Sequence, residues 1–201
     1  MSRWKKPMAE DDAGTLSARA SASAVEHSSA VFWLTGLSGA GKSTLAFGAE
    51  KTLKALGYRV CVLDGDRLRT GLNRDLGFSE ADRMENMRRV AEVATLFADV
   101  GVVVIVALIS PLAEGRELAR RVTGRRFHEI YLAADLGTCE ARDPKGLYRR
   151  ARAGEIAGFT GIGSAYDIPL SPDAVIDTCS KHAASSVADL VTYIRSRIEL
   201  R

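Results

Sequence analysis

Residues 32–46 read "FWLTGLSGAGKSTLA", an apolar run that breaks into glycines and resumes as a helical pattern at Lys42. Gly36-x-x-x-x-Gly41-Lys42-Ser43 has the phosphate-loop spacing, in the setting such a loop requires, between a strand and a helix. Its glycines, Gly39 among them, let the backbone N–H groups of the loop, which also contains Leu37, Ser38, Ala40 and Thr44, turn inward around phosphate oxygens. The helix start adds a partial positive charge, Lys42 reaches toward the β- and γ-phosphates, and the Ser43 hydroxyl is suited to Mg²⁺. A glycine-rich turn that binds nothing is the bland alternative, and the lysine and serine in register with the glycines argue against it. The expected fold is α/β: a P-loop NTPase-type three-layer fold, with a five-stranded parallel sheet, helices on both faces and a basic lid.

Outward from this loop, apolar strands alternate with helical patterns, which means a parallel sheet covered on both faces. Strands are expected at 31–34, 58–63, 102–109, 127–132 and 174–176. Helices are expected at 42–56, from Ser79 to about Gly101, at 114–122 and at 186–198. Ser79 and Asp82 have capping-box spacing, and Met84, Met87, Val90, Ala91, Ala94, Phe97 and Val100 form one stripe. Residues 1–28 are rich in Ala, Ser and charge and read as a loose arm, with a short helix near 15–24; residues 29–201 form the domain. Between Asp143 and about residue 170 the periodicity fades into Gly, Arg and Lys, the composition of a functional lid.

The chain has 201 residues, room for one domain. A net charge of +3 is too mild for a nucleic-acid partner but leaves room for a locally basic pocket. No apolar run is long enough for a membrane span, and the N-terminus has no secretory pattern. Three scattered cysteines and three scattered histidines suggest reduced thiols, a cytoplasmic location and no metal cluster.

The second strand ends in "DGDRLR", placing Asp64 and Asp66 at the carboxyl edge of the sheet, where ligands bind. One carboxylate is suited to ordering Mg²⁺ waters and one to accepting a proton from an acceptor hydroxyl; the spacing does not say which is which. Arg69, Arg83 and Asn86 are placed to hold anionic groups of the acceptor, Arg83 and Asn86 from neighbouring positions on one helix face. Arg88 and Arg89 read equally well as a solvated ion-pair face. A small P-loop chain with a basic lid, and without a guanine-reading element, reads as a kinase for a small acceptor.

The stretches "GLSGAGKST", "DGDRLRTGLNRDLGFSEADRMENMRRVAEVA", "ISP" and "CEARDPKGLYRRARAGEIAGFTGI" together resemble adenylyl-sulfate kinases, over about residues 28–178. The resemblance implies ATP-dependent phosphorylation of the 3′-hydroxyl of adenosine 5′-phosphosulfate (APS), giving 3′-phospho-APS (PAPS) in sulfate activation. It implies ATP on Gly36 to Thr44 with Arg142 against the adenine, and Mg²⁺ at Ser43 and Asp64. For APS it implies Asp66, Arg69, Arg83, Asn86, Ile109 and Ser110, with Lys145 and Leu147 from the lid and Phe78 and Phe159 sandwiching the adenine. Lys42, Asp64, Asp66 and Ser110 are the implied catalytic set, Ser110 either as a phosphoserine or simply as a hydrogen-bonding group. A homodimer and a separate ATP sulfurylase are the implied partners. The chain departs from the family pattern at Arg67, at Leu112 and Ala113, and at Gly163 and Ser164. The alternatives are a P-loop kinase for another nucleotide-like acceptor, and a nucleotide-binding regulator without turnover.

Overall fold

The computed structural model describes residues 26–200. Five parallel strands form one sheet: β1 (Val31–Thr35), β2 (Val60–Asp64), β3 (Val103–Ala107), β4 (Phe127–Ala133) and β5 (Ala174–Asp177), in the order β2-β3-β1-β4-β5. The phosphate-loop strand is therefore central, flanked by β3 and β4. Alternate side chains leave each strand on opposite faces. Phe32, Leu34, Val103, Ile105, Ile130 and Leu132 pack in one core layer, against α1 (Lys42–Ala55) and α7 (Ala183–Arg197). Val31, Trp33, Val104 and Val106 pack in the other, against α3 (Glu80–Asp99) and α4 (Ala113–Thr123). This is the three-layer P-loop fold that the alternating pattern predicts.

The strand and helix positions follow the sequence, with small shifts that have local causes. Strand β2 starts at Val60 rather than Tyr58 because Tyr58 completes the end of α1. Its N–H donates to the Leu53 carbonyl at 3.0 Å and that of Gly57 to Lys54 at 3.0 Å, while Gly57 takes φ +88°. The end of α3 repeats this arrangement, with Val102 to Phe97 at 3.1 Å, Gly101 to Ala98 at 3.0 Å and Gly101 at φ +79°. Both are left-handed glycine caps that satisfy the last helical carbonyls. At the start of α3, the Asp82 N–H donates to Ser79 Oγ at 3.1 Å. The Asp82 carboxylate then accepts the Ser79 hydroxyl at 2.7 Å, instead of returning to the backbone as in a full capping box.

Three short helices have no strong periodic signal: α2 (Gly65–Thr70), α5 (Leu136–Arg142) and α6 (Leu147–Arg152). Helix α6 lies inside the stretch expected to be irregular. The Asp143 carboxylate nucleates it, accepting the N–H groups of Tyr148 at 3.1 Å and Arg149 at 3.0 Å. The lid is packed rather than loose, since Tyr148 and Phe159 belong to the core and meet edge-on at 5.0 Å. At the other end, the domain begins before residue 29. The Ser28 N–H donates to Glu199 at 2.9 Å, and His27 Nε2 accepts the Arg59 N–H at 2.9 Å. The rest of the expected arm, with its helix near 15–24, lies outside the described residues.

Candidate active site

A cleft of about 840 Å³ opens at the carboxyl edge of the sheet, the size of a small-ligand site. Its wall runs from Ser38 through Thr44, past Asp64, Asp66, Arg69, Phe78, Arg83 and Asn86, to Ile109 and Ser110. Arg142, Lys145, Leu147 and Phe159 close it from the lid side. Of the residues expected from the sequence, Gly36 and Leu37 are the ones that do not line it. They act through their carbonyls, which accept Lys42 Nζ at 2.8 and 2.7 Å.

At the phosphate end, Lys42 sits at the start of α1 with only 9% of its surface exposed. Burial pulls its pKa down to about 8, and the positive charge of Lys145 pulls in the same direction. Such a lysine gains most from a phosphate that restores its charge. Gly39 is packed so closely under α5 that a Cβ there would lie 2.8 Å from the Cys139 carbonyl. The hydroxyl of Tyr148 donates to the Ser38 carbonyl at 2.9 Å, and Arg142 binds the carbonyls of Gly39 (3.2 Å) and Thr178. The loop is thus braced from behind by residues more than a hundred positions away in sequence.

The Ser43 hydroxyl donates to Asp64 Oδ2 at 2.6 Å. Asp64 Oδ1 caps α2, accepting the Asp66 N–H at 3.1 Å and, more distantly, that of Arg67 at 3.5 Å. Serine and carboxylate form an oxygen-donor pair of the kind that holds Mg²⁺ together with phosphates and water. No group of three or more His, Cys, Asp or Glu among the described residues makes an all-protein metal site. Asp66 is exposed to the cleft and pairs with Lys145 from the lid.

At the other end, Arg69 donates to the carbonyls of Leu76 (3.2 Å) and Gly77 (2.8 Å) and lies 4.4 Å from the centre of the Phe78 ring. Arg83 donates to Phe78 (2.9 Å), Thr160 (2.7 Å) and Gly158 (2.9 Å), tying α3 to the lid. Burial draws both guanidiniums below their usual pKa, and the charge of Arg83 draws Arg69 down further. Neither pairs with a carboxylate among the described residues, so two like charges face a region suited to an anion. Buried Asn86 is oriented by Asn73, whose amide donates to its Oδ1 at 2.9 Å. Phe78 is 69% exposed, whereas Phe159 is 9% exposed and anchored in the core.

Other charged residues lie away from this chemistry. Arg88 and Arg89 form surface ion pairs with Glu85, and Arg89 also with Asp75. Arg150 and Arg152 of the lid are bound outward, to Glu155 and Glu140. Of the basic residues in the expected lid, Lys145 is the one that lines the cleft, fewer than composition suggests, with Arg142 joining it from the end of α5. Arg67 is exposed and outside the lining, and the Ala113 N–H donates to Asp167 at 2.9 Å.

Sequence reasoning missed Trp33, Thr160, Tyr166 and Arg116. The Arg116 guanidinium is buried on Glu129 at 2.6 Å, beside Ser110. A signal was present: Arg116, Ala119 and Thr123 follow three- and four-residue spacing on one buried face of α4.

The sequence matches the adenylylsulphate kinase family over residues 28–177. An adenylyl-sulfate kinase of Bacillus licheniformis is 53% identical over 173 residues, covering 86% of this chain and 88% of the relative. One from Geotalea uraniireducens is 54% identical, with 85% and 83% covered. The Mycobacterium tuberculosis APS kinase solved in complex with AMPPNP and APS shares 48% identity at a TM-score of 0.81, over 84% of this chain and 98% of that one. This chain belongs to the adenylylsulphate kinase family.

Proposed function

We propose that this chain transfers the γ-phosphoryl group of ATP to the 3′-hydroxyl of adenosine 5′-phosphosulfate, giving ADP and PAPS for sulfate activation. The observation that carries this reading is a single cleft with a phosphate loop at one end. At its other end stand an exposed aromatic ring and two guanidiniums with no carboxylate partner among the described residues.

The loop N–H groups and Lys42 hold the ATP phosphates and offset the charge that builds on them. Ser43 and Asp64 would hold Mg²⁺, which when bound neutralises charge on the transferring phosphoryl. Phe78 offers a face to the acceptor's adenine, while Arg69, Arg83 and Asn86 bind its phosphosulfate. The 3′-oxygen attacks the γ-phosphorus as the bond to the β-phosphate oxygen breaks, and the hydroxyl proton passes to a carboxylate. Asp66, at the mouth of the cleft beside Lys145, is the carboxylate left for this once Asp64 is committed to Ser43. Positioning and charge neutralisation account for most catalysis in this class of reaction.

A homodimer fits the exposed apolar side chains of Leu96, Phe97 and Val100 at the end of α3, and a separate ATP sulfurylase would supply the APS. A reducing cytoplasm suits the free thiols of Cys61, Cys139 and Cys179. No helix among the described residues is long and apolar enough to cross a membrane.

The test is ADP release from ATP and Mg²⁺ with and without APS, with PAPS identified by mass. APS-dependent ADP with equimolar PAPS is expected. ADP release indifferent to APS would overturn the reading.

A further inference from the structure

Among the described residues, Ser110 is the one non-glycine with a left-handed φ, +49°. A serine stays in that region only when its surroundings over-determine it. Trp33 Nε1 donates to its Oγ at 2.8 Å, in a fully buried contact. Arg116 Nη1 donates to its carbonyl at 2.8 Å and to that of Pro111 at 3.3 Å. The Thr35 hydroxyl holds the preceding carbonyl, of Ile109, at 2.8 Å.

Arg116 does more than hold the turn. It is 4% exposed, bound through Nε to Glu129 at 2.6 Å, and its Nη2 donates to the Asp167 carbonyl at 2.7 Å. Asp167 answers with its own N–H to Pro111 at 2.8 Å and its carboxylate to the Ala113 N–H at 2.9 Å. Its neighbour Tyr166 meets the Thr35 hydroxyl at 2.9 Å. The stem by which the lid rejoins the body is therefore bound to the Ser110 turn.

A serine hydroxyl has one proton and two lone pairs, and an indole N–H only donates. Trp33 therefore takes a lone pair of Ser110 and leaves the proton for a ligand in the cleft that Ser110 lines. Among the described residues no basic side chain contacts Oγ to activate it as a nucleophile.

We propose that Trp33 and Arg116 are positioning residues for the acceptor nucleotide: Trp33 makes Ser110 a fixed hydrogen-bond donor to it, and Arg116 locks that donor to the lid stem at Asp167. The inference rests on the function proposed above and assigns these residues to its acceptor side. Because both act through Ser110, their loss should weaken acceptor binding and spare ATP.

The experiment measures KM for APS and for ATP in wild-type, Trp33→Phe, Ser110→Ala, the Trp33→Phe/Ser110→Ala double variant and Arg116→Lys. Trp33→Phe keeps an aromatic ring but deletes the donor and one fused ring, so the packing loss at this fully buried site is separated from the lost hydrogen bond by the double variant. It should raise KM for APS about tenfold, the scale of one hydrogen bond, with KM for ATP within about twofold. The double variant should resemble Ser110→Ala alone, because Trp33 has no effect once its acceptor is gone. Arg116→Lys keeps the charge facing Glu129 but not the fork that reaches Ser110 and Asp167, and should show the same split. Should Arg116→Lys fail to fold, the Trp33–Ser110 cycle decides. Equal changes in both KM values, unchanged KM values in Trp33→Phe, or additive effects in an active enzyme would overturn this inference alone. A wild-type protein without APS-dependent ADP release would overturn the proposed function, and this inference with it.

Discussion

The hydroxyl of Ser43 donates to Asp64 Oδ2 at 2.6 Å, joining the helix that follows the phosphate loop to the end of β2 across the intervening strand β3. The same carboxylate caps α2 through its other oxygen. Its charge and its capping role are separable by substitution. Asparagine caps a helix about as well as aspartate, so Asp64→Asn should leave the thermal midpoint nearly unchanged. Turnover should fall by about 100-fold or more, as expected when a charged group at the reacting centre is neutralised. Calorimetry beside single-turnover rates checks this. A drop confined to ATP affinity would count against the role given to Asp64.

Lys42 makes nucleotide binding depend on pH. With its pKa near 8 in the free protein, the ammonium is mostly charged at pH 7 and mostly neutral at pH 9. Phosphate oxygens favour the charged form, so above pH 8 binding must first return the proton. The dissociation constant of a non-hydrolysable ATP analogue should rise about tenfold between pH 7 and pH 9. In Lys42→Arg that slope should vanish, because a guanidinium stays charged throughout. Isothermal titration at both pH values reads the difference.

The pair Phe78 and Phe159 should separate cleanly. Phe78 is exposed over Arg69, so Phe78→Ala should barely change stability yet raise KM for APS well above any change in KM for ATP. Phe159 packs on Tyr148 in the core, and Phe159→Ala should cost about 3 kcal/mol of folding stability. Denaturant titration with paired KM measurements tests both. A large stability loss in Phe78→Ala would mean that the ring is structural.

Ser110 carries a backbone cost that glycine would not. A left-handed φ costs an L-residue about 1–2 kcal/mol, more than the roughly 0.4–1 kcal/mol of unfolded-state entropy by which glycine is disfavoured. Both Ser110→Gly and Ser110→Ala lose the hydroxyl that accepts from Trp33. The glycine variant should therefore be the more stable of the two by about 0.5–1 kcal/mol. Urea unfolding of the two proteins decides it, and a more stable alanine variant would remove the strain argument.

What could be read from the chain was local or periodic. Gly36 to Ser43 encodes its own loop, because glycine positions and a following helix are properties of consecutive residues. The strands of β1 and β3 are apolar on both faces, and α3 buries its stripe at Met87, Val90, Ala91 and Ala94, so their existence and type were legible. Phe97 and Val100, expected on that stripe, are exposed, because Ala98 faces the core at that end of the helix. Helices α2, α5 and α6 were not, because helices of six or seven residues are too short to stand by propensity. They persist through the capping carboxylates of Asp64, Asp135 and Asp143 and through packing on the body of the domain.

The sequence by itself determined that this protein holds a phosphate loop on an α/β scaffold, with carboxylates and arginines behind it, since each of those signals lies within a few tens of residues. Only the tertiary structure decided which charges serve the cleft. Arg83 reaches Thr160 across 77 positions, Trp33 reaches Ser110 across 77, and Arg150 turns outward to Glu155. Composition treats Arg83 and Arg150 alike and says nothing of Trp33. Their partners are set by the strand order β2-β3-β1-β4-β5, which brings the ends of β1 and β3 side by side. That order follows from burying both faces of the sheet at once, a condition on the whole chain that no single stretch expresses.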